Sequence, residues 1–442
     1  MIYRVSKLST YVLVFSLLGT MTARAESSEA KQALNETLDL QMLYELVQKQ
    51  GQKIEQLSAQ LAAAEAQLTT TQQNVAITEQ QLASTVEFVE EQTSASAGGS
   101  NWWDRTSVGG YGEVHYNRVE AEDSNRDFKE TDIHRYVLFI NHEFNDRIRF
   151  FSEFEIEHGL VKDTADGSGN GEVEIEQAYI EMDLNDAHQL KAGLFLTPVG
   201  ILNETHEPPT FYGVERNDVE NIILPSTWWE NGVAVSGQYS SGLSWDFAVT
   251  SGLKVPTQGS SAFRIRSGRQ KTSNASAEDL AYTARLAYSG LPGLQLAATY
   301  QHQSDISQIS GDGLDEGNLV TAHAIYNNGG FQFRALWAQW ELDGALVEIA
   351  GGDEQSGWYI EPSYRLRTPD LGLLESVGFY ARLQDLEGVR VQDQFEQWEV
   401  GMNFWPTDNV VFKIDYRDRE HDLAGASGRD FKAIDLGVGF QF

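Results

Sequence analysis

The stretch Ile434-Asp435-Leu436-Gly437-Val438-Gly439-Phe440-Gln441-Phe442 closes the chain, and its reading decides the fold. Ile434, Leu436, Val438, Phe440 and Phe442 fall on one side of a period-2 strand, with Asp435, Gly437, Gly439 and Gln441 on the other. A continuously apolar face backed by a small or polar one, over about the 9–11 residues that cross a bilayer as a tilted strand, fits the wall of a membrane barrel. The rest of the chain should then divide into strands, turns and loops of one closed sheet.

From Ser107 onward it does. Alternation marks segments near 108–119, 130–144, 147–158, 173–184, 187–199, 229–240, 243–254, 279–289, 293–304, 317–327, 330–342, 355–368, 374–387, 394–405, 409–421 and 429–442. The expected fold is an all-β transmembrane barrel of about sixteen antiparallel strands, an even count that leaves both ends on one side. Short connections at Asn145-Asp146, Asn185-Asp186, Ser241-Gly242, Gly290-Leu291-Pro292, Asn328-Gly329, Pro369-Asp370 and Pro406-Thr407-Asp408 use residues that tolerate tight turns. Longer ones lie between them, the arrangement of short periplasmic turns and long outer loops, which a soluble sandwich would not require. Trp102, Trp103, Trp228, Trp229, Trp337, Trp340, Trp358, Trp398 and Trp405 fall near strand ends and as a set suit interfacial girdles.

Composition sets the address. The first 25 residues have a basic start (Arg4, Lys7), an apolar stretch from Tyr11 to Leu18 and a small-x-small site at Ala23-Arg24-Ala25, the pattern of a cleaved secretory signal. No later run approaches twenty apolar residues and the mean hydropathy is −0.38, which excludes a helical membrane protein but not a barrel. There is no cysteine, so thiolate and disulfide chemistry drop out, and a formal net charge of −33 argues against nucleic acid as a partner. Residues 26–97 are rich in Gln, Ala, Glu and Thr. Leu40, Leu43, Val47, Ile54, Leu57, Leu61, Leu68, Val75, Leu82 and Val89 occupy a and d positions of a periplasmic coiled-coil stalk, which implies self-association. A flexible Gln-rich linker is the alternative. Residues 98–107 form a linker with a hinge at Gly98-Gly99-Ser100.

If the apolar column faces lipid, its complement faces the lumen. Glu153, Glu155 and Glu157, joined by Tyr179, Glu181 and Asp183, form an acidic wall; Arg285, Arg334, Arg365, Arg382, Lys413 and Arg417 form a basic one across from it. Two such walls would set a transverse field across a wet channel. The alternative is that these charges pair within the wall. A further basic group, Arg264, Arg266, Arg269 and Lys271, lies in the fourth long loop and could line an anion funnel at the outer mouth or meet lipopolysaccharide phosphates. Asp163 to Glu172 has the look of a calcium loop, but Gln177 stands where the twelfth-position Glu is needed. No metal or cofactor is expected.

The third long loop, about 200–228, is Pro-rich and apolar, unusual for a solvated loop, and inside a barrel it would narrow the lumen. It places Glu204, His206, Glu215 and Arg216 at a constriction. The motifs around it, Gly193-x-Phe195, Pro198-x-Gly200, Glu215-Arg216 and Trp229-x-x-Gly232, resemble the phosphate-selective porin O and P superfamily over residues 108–442. The terminal Phe442 similarly resembles the closing aromatic of bacterial outer-membrane barrels. The stalk resembles that of the DcaP-like branch, associated with small organic anions. Asn217 replaces a Pro of phosphate-specific members and no dense lysine cluster accompanies the loop, which argues against strict phosphate selectivity.

The resemblance implies a homotrimeric porin of a Gram-negative outer membrane, passing small hydrophilic or anionic solutes and contacting lipid and lipopolysaccharide. A structural barrel that links to the cell wall through its coiled coil and conducts little is the alternative. An enzyme is not expected: a barrel hydrolase needs a nucleophile with a positioned His, and of nine scattered histidines only His134 and His142 are close on one strand face.

Overall fold

A computed structural model describes residues 101–159, 171–368, 372–421 and 428–442. The signal segment, the coiled-coil segment, most of the calcium-like loop and the Pro369-Asp370 turn lie outside the described residues.

Among the described residues sixteen strands follow one another: β1 (Thr106–Ala121), β2 (Phe128–Asn145), β3 (Ile148–Glu157), β4 (Val173–Asn185), β5 (His188–Leu196), β6 (Trp229–Gln238), β7 (Leu243–Thr250) and β8 (Ala281–Leu291). The second half comprises β9 (Leu294–Gln303), β10 (Gly317–Asn328), β11 (Phe331–Leu342), β12 (Glu354–Arg367), β13 (Ser376–Glu387), β14 (Gln394–Thr407), β15 (Val410–His421) and β16 (Phe431–Gln441). Each pairs antiparallel with its chain neighbours, and β16 closes on β1, with Glu113 opposite Gly439, His115 opposite Gly437 and Asn117 opposite Asp435. No described helix is long and apolar enough to cross a membrane; the strands carry the apolar surface.

That surface is the outward column. Val114, Tyr136, Phe154, Ile175, Phe247, Leu286, Val400, Ile414 and Leu436 are exposed. An Arg or Lys on this face at the midplane would cost about 2–4 kcal/mol, which confines the charges to the other column. Two strands stop earlier than alternation suggests. β5 leaves the wall at Thr197, where Pro198 cannot continue the ladder, and β7 leaves at Ser251; both enter connections that fold inward.

Two register shifts add residues to the inner face. Between β1 and β2, Glu113 faces Arg135 and Val114 faces Ile133, leaving His134 as the extra residue. Between β3 and β4, Glu153 faces Gln177 and Phe154 faces Ile175, leaving Glu176. Each is a β-bulge, which re-aims side chains on the bulged strand.

The main apolar core lies within the lumen. Ile223, Leu224 and Trp228 from connection 197–228, Leu253 and Ile265 from 251–280, Ile306 and Leu314 from 304–316, and Val347 of α1 (Ala345–Ala350) pack with Leu336, Trp340, Tyr359, Leu386 and Phe395 of the wall. Each buried aliphatic side chain contributes about 1.5–3 kcal/mol, enough together to hold four connections inside the barrel. This corrects the girdle expectation for four tryptophans. Trp228, Trp229, Trp340 and Trp405 are buried, and the Trp340 indole donates to the Ile223 carbonyl at 2.9 Å, while Trp337 and Trp398 stay on the outer face.

Candidate functional site

The connection 197–228 is built to be rigid. Asn203 ties its two ends together, donating to the carbonyls of Thr197 (2.7 Å) and Trp228 (3.0 Å) and accepting from the Trp228 amide (2.7 Å). Glu220 accepts from the amides of Ile201 and Leu202 and from the Tyr359 hydroxyl (2.8 Å), and burial raises its carboxyl pKa despite these donors. Asn217 accepts from the Glu220 amide at 2.8 Å, a role that Pro, with no side-chain acceptor, could not fill. Gly200, at φ 66°, passes so close to Glu220 that a Cβ would sit 2.5 Å from its carboxylate.

The middle of the connection lies along β11 and β13–β16. Arg382 donates to the Tyr212 carbonyl and Arg334 to that of Thr210, each at 2.8 Å, and Lys413 donates to that of Gly213 at 2.7 Å. The Val214 amide donates to Asp415 at 2.6 Å. Room comes from the bare inner face of β16: Gly437 lies against Val214 and Gly439 against Pro208.

These contacts revise the picture of two opposed charged walls. Arg382 also pairs with Glu361 (2.7 Å) and Glu399 (3.1 Å), Arg417 with Asp435 (2.7 Å), Arg365 with Asp408 (2.6 Å), and Arg285 with Glu204 and Asp246. The basic wall is neutralised within itself or spent on loop carbonyls, the alternative that pairing offered.

The acidic side is differently disposed. Glu113 pairs with Arg135 at 2.7 Å and His115 at 3.3 Å, and Glu155 with Arg135 at 3.3 Å. Glu181 pairs with Arg149 at 2.9 Å, whereas Glu153 meets His206 at 3.5 Å. Glu155, Glu157 and Glu174 line a cavity of about 250 Å³. Arg216, Arg266, Arg269 and Lys271, from the third and fourth long connections, also line it.

The cations in the cavity mostly have backbone partners. Arg216 donates to the His206 carbonyl at 3.3 Å, and its Nε has no hydrogen-bond partner. Arg266 donates to the carbonyls of Asn221 (3.0 Å) and Ser226, and Arg269 to that of Thr227. Burial, and then repulsion from Arg269, Arg264 and Arg216, pulls the Arg266 pKa well down. Lys271 pairs with Glu172 and Glu174, and Arg264 turns away to Asp393 at 3.6 Å. Glu215, adjacent to Arg216, accepts from Asn117 at 2.9 Å and meets His115 at 3.2 Å.

Glu113, His115 and Asn117 were legible in the alternation of β1 and were missed. His134 does not act with His142; it stacks on His115 with ring centroids 4.5 Å apart and lies edge-on to His158. His134 and Glu176 reach the lumen through bulges, for which the sequence carries no simple signal.

Residues 108–442 match the family model described as phosphate-selective porin O and P. The chain belongs to this porin family. A relative from Aquifex aeolicus (strain VF5), described as an uncharacterized protein, is 31% identical over 334 residues, covering 70% of this chain and 74% of its own. Among solved structures, the porin's barrel is similar to OmpF of Salmonella typhi in complex with daunomycin (TM-score 0.52, 13% identity, 76% of this chain and 97% of that one). It is likewise similar to an anion-selective porin of Comamonas acidovorans (0.51, 12%, 76% and 99%) and to the channel DcaP of Acinetobacter baumannii (0.50, 12%, 76% and 97%). At these identities the likeness is one of fold. The family and the barrel together make this porin an outer-membrane channel.

Proposed function

We propose that this porin is a passive diffusion channel for small hydrophilic solutes, biased toward anions and organic acids, in a Gram-negative outer membrane. The observation that carries the reading is that the folded-in connections bring Arg216, Arg266 and Arg269 together in the lining of the 250 Å³ cavity. Their hydrogen bonds go to backbone carbonyls and not to carboxylates, whereas Glu113 and Glu155 share Arg135. A carboxylate of a passing solute finds planar bidentate donors there. The field across the cavity runs from loop cations to wall carboxylates, so selectivity resides in the folded-in connections. The net charge of −33 does not oppose this, because charges more than a Debye length of about 8–10 Å away are screened.

Within the same proposal the first 25 residues are a secretory signal, 26–97 a periplasmic coiled coil, and the assembly a homotrimer. One experiment tests the channel reading: reversal potentials of the purified protein in planar bilayers under a salt gradient. Anion preference that falls in Arg216→Ala is expected; cation preference unchanged by that substitution overturns the assignment. Liposome swelling with phosphate, dicarboxylates, sugars and amino acids then ranks the solutes. The second reading, a structural barrel with little conductance, draws on the apolar core that fills the lumen beside β10–β14. Its mark is folded protein that inserts and does not conduct.

A further inference from the structure

His206 lies on the folded-in connection, Glu153 on β3, and Glu176 at the bulge of β4. One ligand atom from each lies within 4.8 Å of the others. His206 Nε2 is 3.5 Å from Glu153 Oε1 and 3.9 Å from Glu176 Oε2. All three residues are at least 97% buried, and Glu176 Oε2 has no hydrogen-bond partner. A carboxylate oxygen with no donor, set beside a second carboxylate away from water, calls for a cation.

The other ends of the three side chains are anchored. Gln177 donates to Glu153 Oε2 at 2.7 Å, Thr227 donates to Glu176 Oε1 at 2.8 Å, and His206 Nδ1 lies 3.2 Å from the Asn203 carbonyl. A proton on Nδ1, donated to that carbonyl, leaves Nε2 as a lone pair directed at the carboxylates. Outer donors that fix carboxylates, and a carbonyl that fixes the imidazole tautomer, are how proteins orient metal ligands. A four-coordinate zinc ion with bonds of about 2.0–2.2 Å holds neighbouring ligand atoms roughly 3.3–3.6 Å apart, so the two spacings from His206 Nε2 need little contraction, and the two carboxylates, within 4.8 Å of each other, draw together on the ion. Around the three, Tyr111 donates to Glu153 Oε1 at 3.4 Å, and Glu155 and Glu174 reach within 4.8 Å of Glu176. Those last two also line the 250 Å³ cavity, so a line of carboxylates leads from the cavity to the site.

We propose that Glu153, Glu176 and His206 bind one divalent transition-metal ion of the zinc class, with one position left open. One imidazole and two carboxylates are the donor set such an ion takes, where magnesium and calcium take oxygen alone. Because His206 comes from the third connection and the two glutamates from the wall, the ion clamps that connection to β3 and β4. The inference does not depend on which solute is conducted.

The test is a zinc titration of the folded, full-length protein stripped with a chelator, using a competing zinc indicator. Wild type is expected to bind one zinc per chain, and Glu176→Gln and His206→Gln to lose at least tenfold in affinity. Thr227→Val, which removes only an outer donor, should weaken binding by about tenfold. His134 belongs to two other His-carboxylate groups, one with His115 and Glu215 and one with Asp132 and His158. Retention of the zinc in His134→Ala together with its loss in His206→Gln assigns it to the proposed site rather than to Glu155, Glu174 and Glu176; loss in His134→Ala with retention in Glu176→Gln overturns it. Wild type that binds no more zinc than the Glu176→Gln, His206→Gln double variant also overturns it. Heat-modifiable gel migration of every variant confirms that the barrel compared is folded.

Discussion

The guanidinium of Arg382 on β13 donates to the carbonyl of Tyr212 at 2.8 Å, joining the barrel wall to the connection that crosses its lumen. Its other nitrogens, Nε and Nη1, donate to Glu361 (2.9 Å) and Glu399 (3.1 Å), and all three charged groups are at most 3% exposed. A charge that looks from sequence like part of a pore lining is a fastener for the folded-in connection.

Arg382→Met should therefore destabilise the barrel and loosen the connection. It leaves Glu361 and Glu399 buried without their cation, a loss of about 3–5 kcal/mol. The thermal midpoint of purified protein should fall and open-channel noise should rise. An unchanged midpoint would show that the pair is not buried in the assembled protein.

The inner face of β16 makes a finer prediction. A Cβ at Gly439 would lie 2.3 Å from Pro208 Cβ, whereas one at Gly437 would lie 3.2 Å from the nearest Val214 methyl carbon. Gly439→Ala should displace the connection, at the roughly 1–3 kcal/mol typical of overpacking, and Gly437→Ala should cost less. Conductance and midpoint measured side by side give the order; the reverse order would contradict the packing of Pro208.

Glu215 supplies a pH dependence. Burial pushes its carboxyl pKa up, but the hydrogen bond and charge of His115, with Arg417 and His134, outweigh this and hold it below the ordinary range. A depressed folded pKa gives stability that is fully present above the unfolded value of about 4.3 and lost as pH falls through the lower folded value. Glu215→Gln should lower the thermal midpoint at pH 6, and the gap from wild type should shrink on acidification below about pH 4. A constant gap across that range would refute the linkage.

Two arginines of the fourth long connection should separate. Arg266 lines the cavity and holds the carbonyls of Asn221 and Ser226, whereas Arg264 pairs with Asp393. Arg266→Ala should shift the reversal potential toward cations, and Arg264→Ala should shift it far less. Equal shifts would place the selective field elsewhere.

The barrel itself was legible because lipid imposes a rule on every strand: apolar side chains outward at period 2, with turn residues between. Ile434 to Phe442 states that rule within one strand, and an even strand count makes β16 antiparallel to β1, the orientation in which they pair. The Pro-rich connection before Trp229 could be read as folded against something because an apolar loop in water is costly. What it folds against could not be read. Arg334, Arg382 and Lys413 point inward by alternation whether they meet solute, a carboxylate or a loop carbonyl, and only the packed connection selects among these.

The same limit explains the residues that were missed. A bulge inserts one residue and reverses the inward set beyond it, so His134 and Glu176 change sides with no change in composition or period. Sequence alone determined the strands, their order, the lipid-facing column and one of the four connections that fold inward, since each follows from local periodicity and turn chemistry. Tertiary structure decided which charges cancel, which cations face the cavity, and which histidines and glutamates meet. Those depend on distances between side chains far apart in the chain, and a spacing in sequence does not encode them.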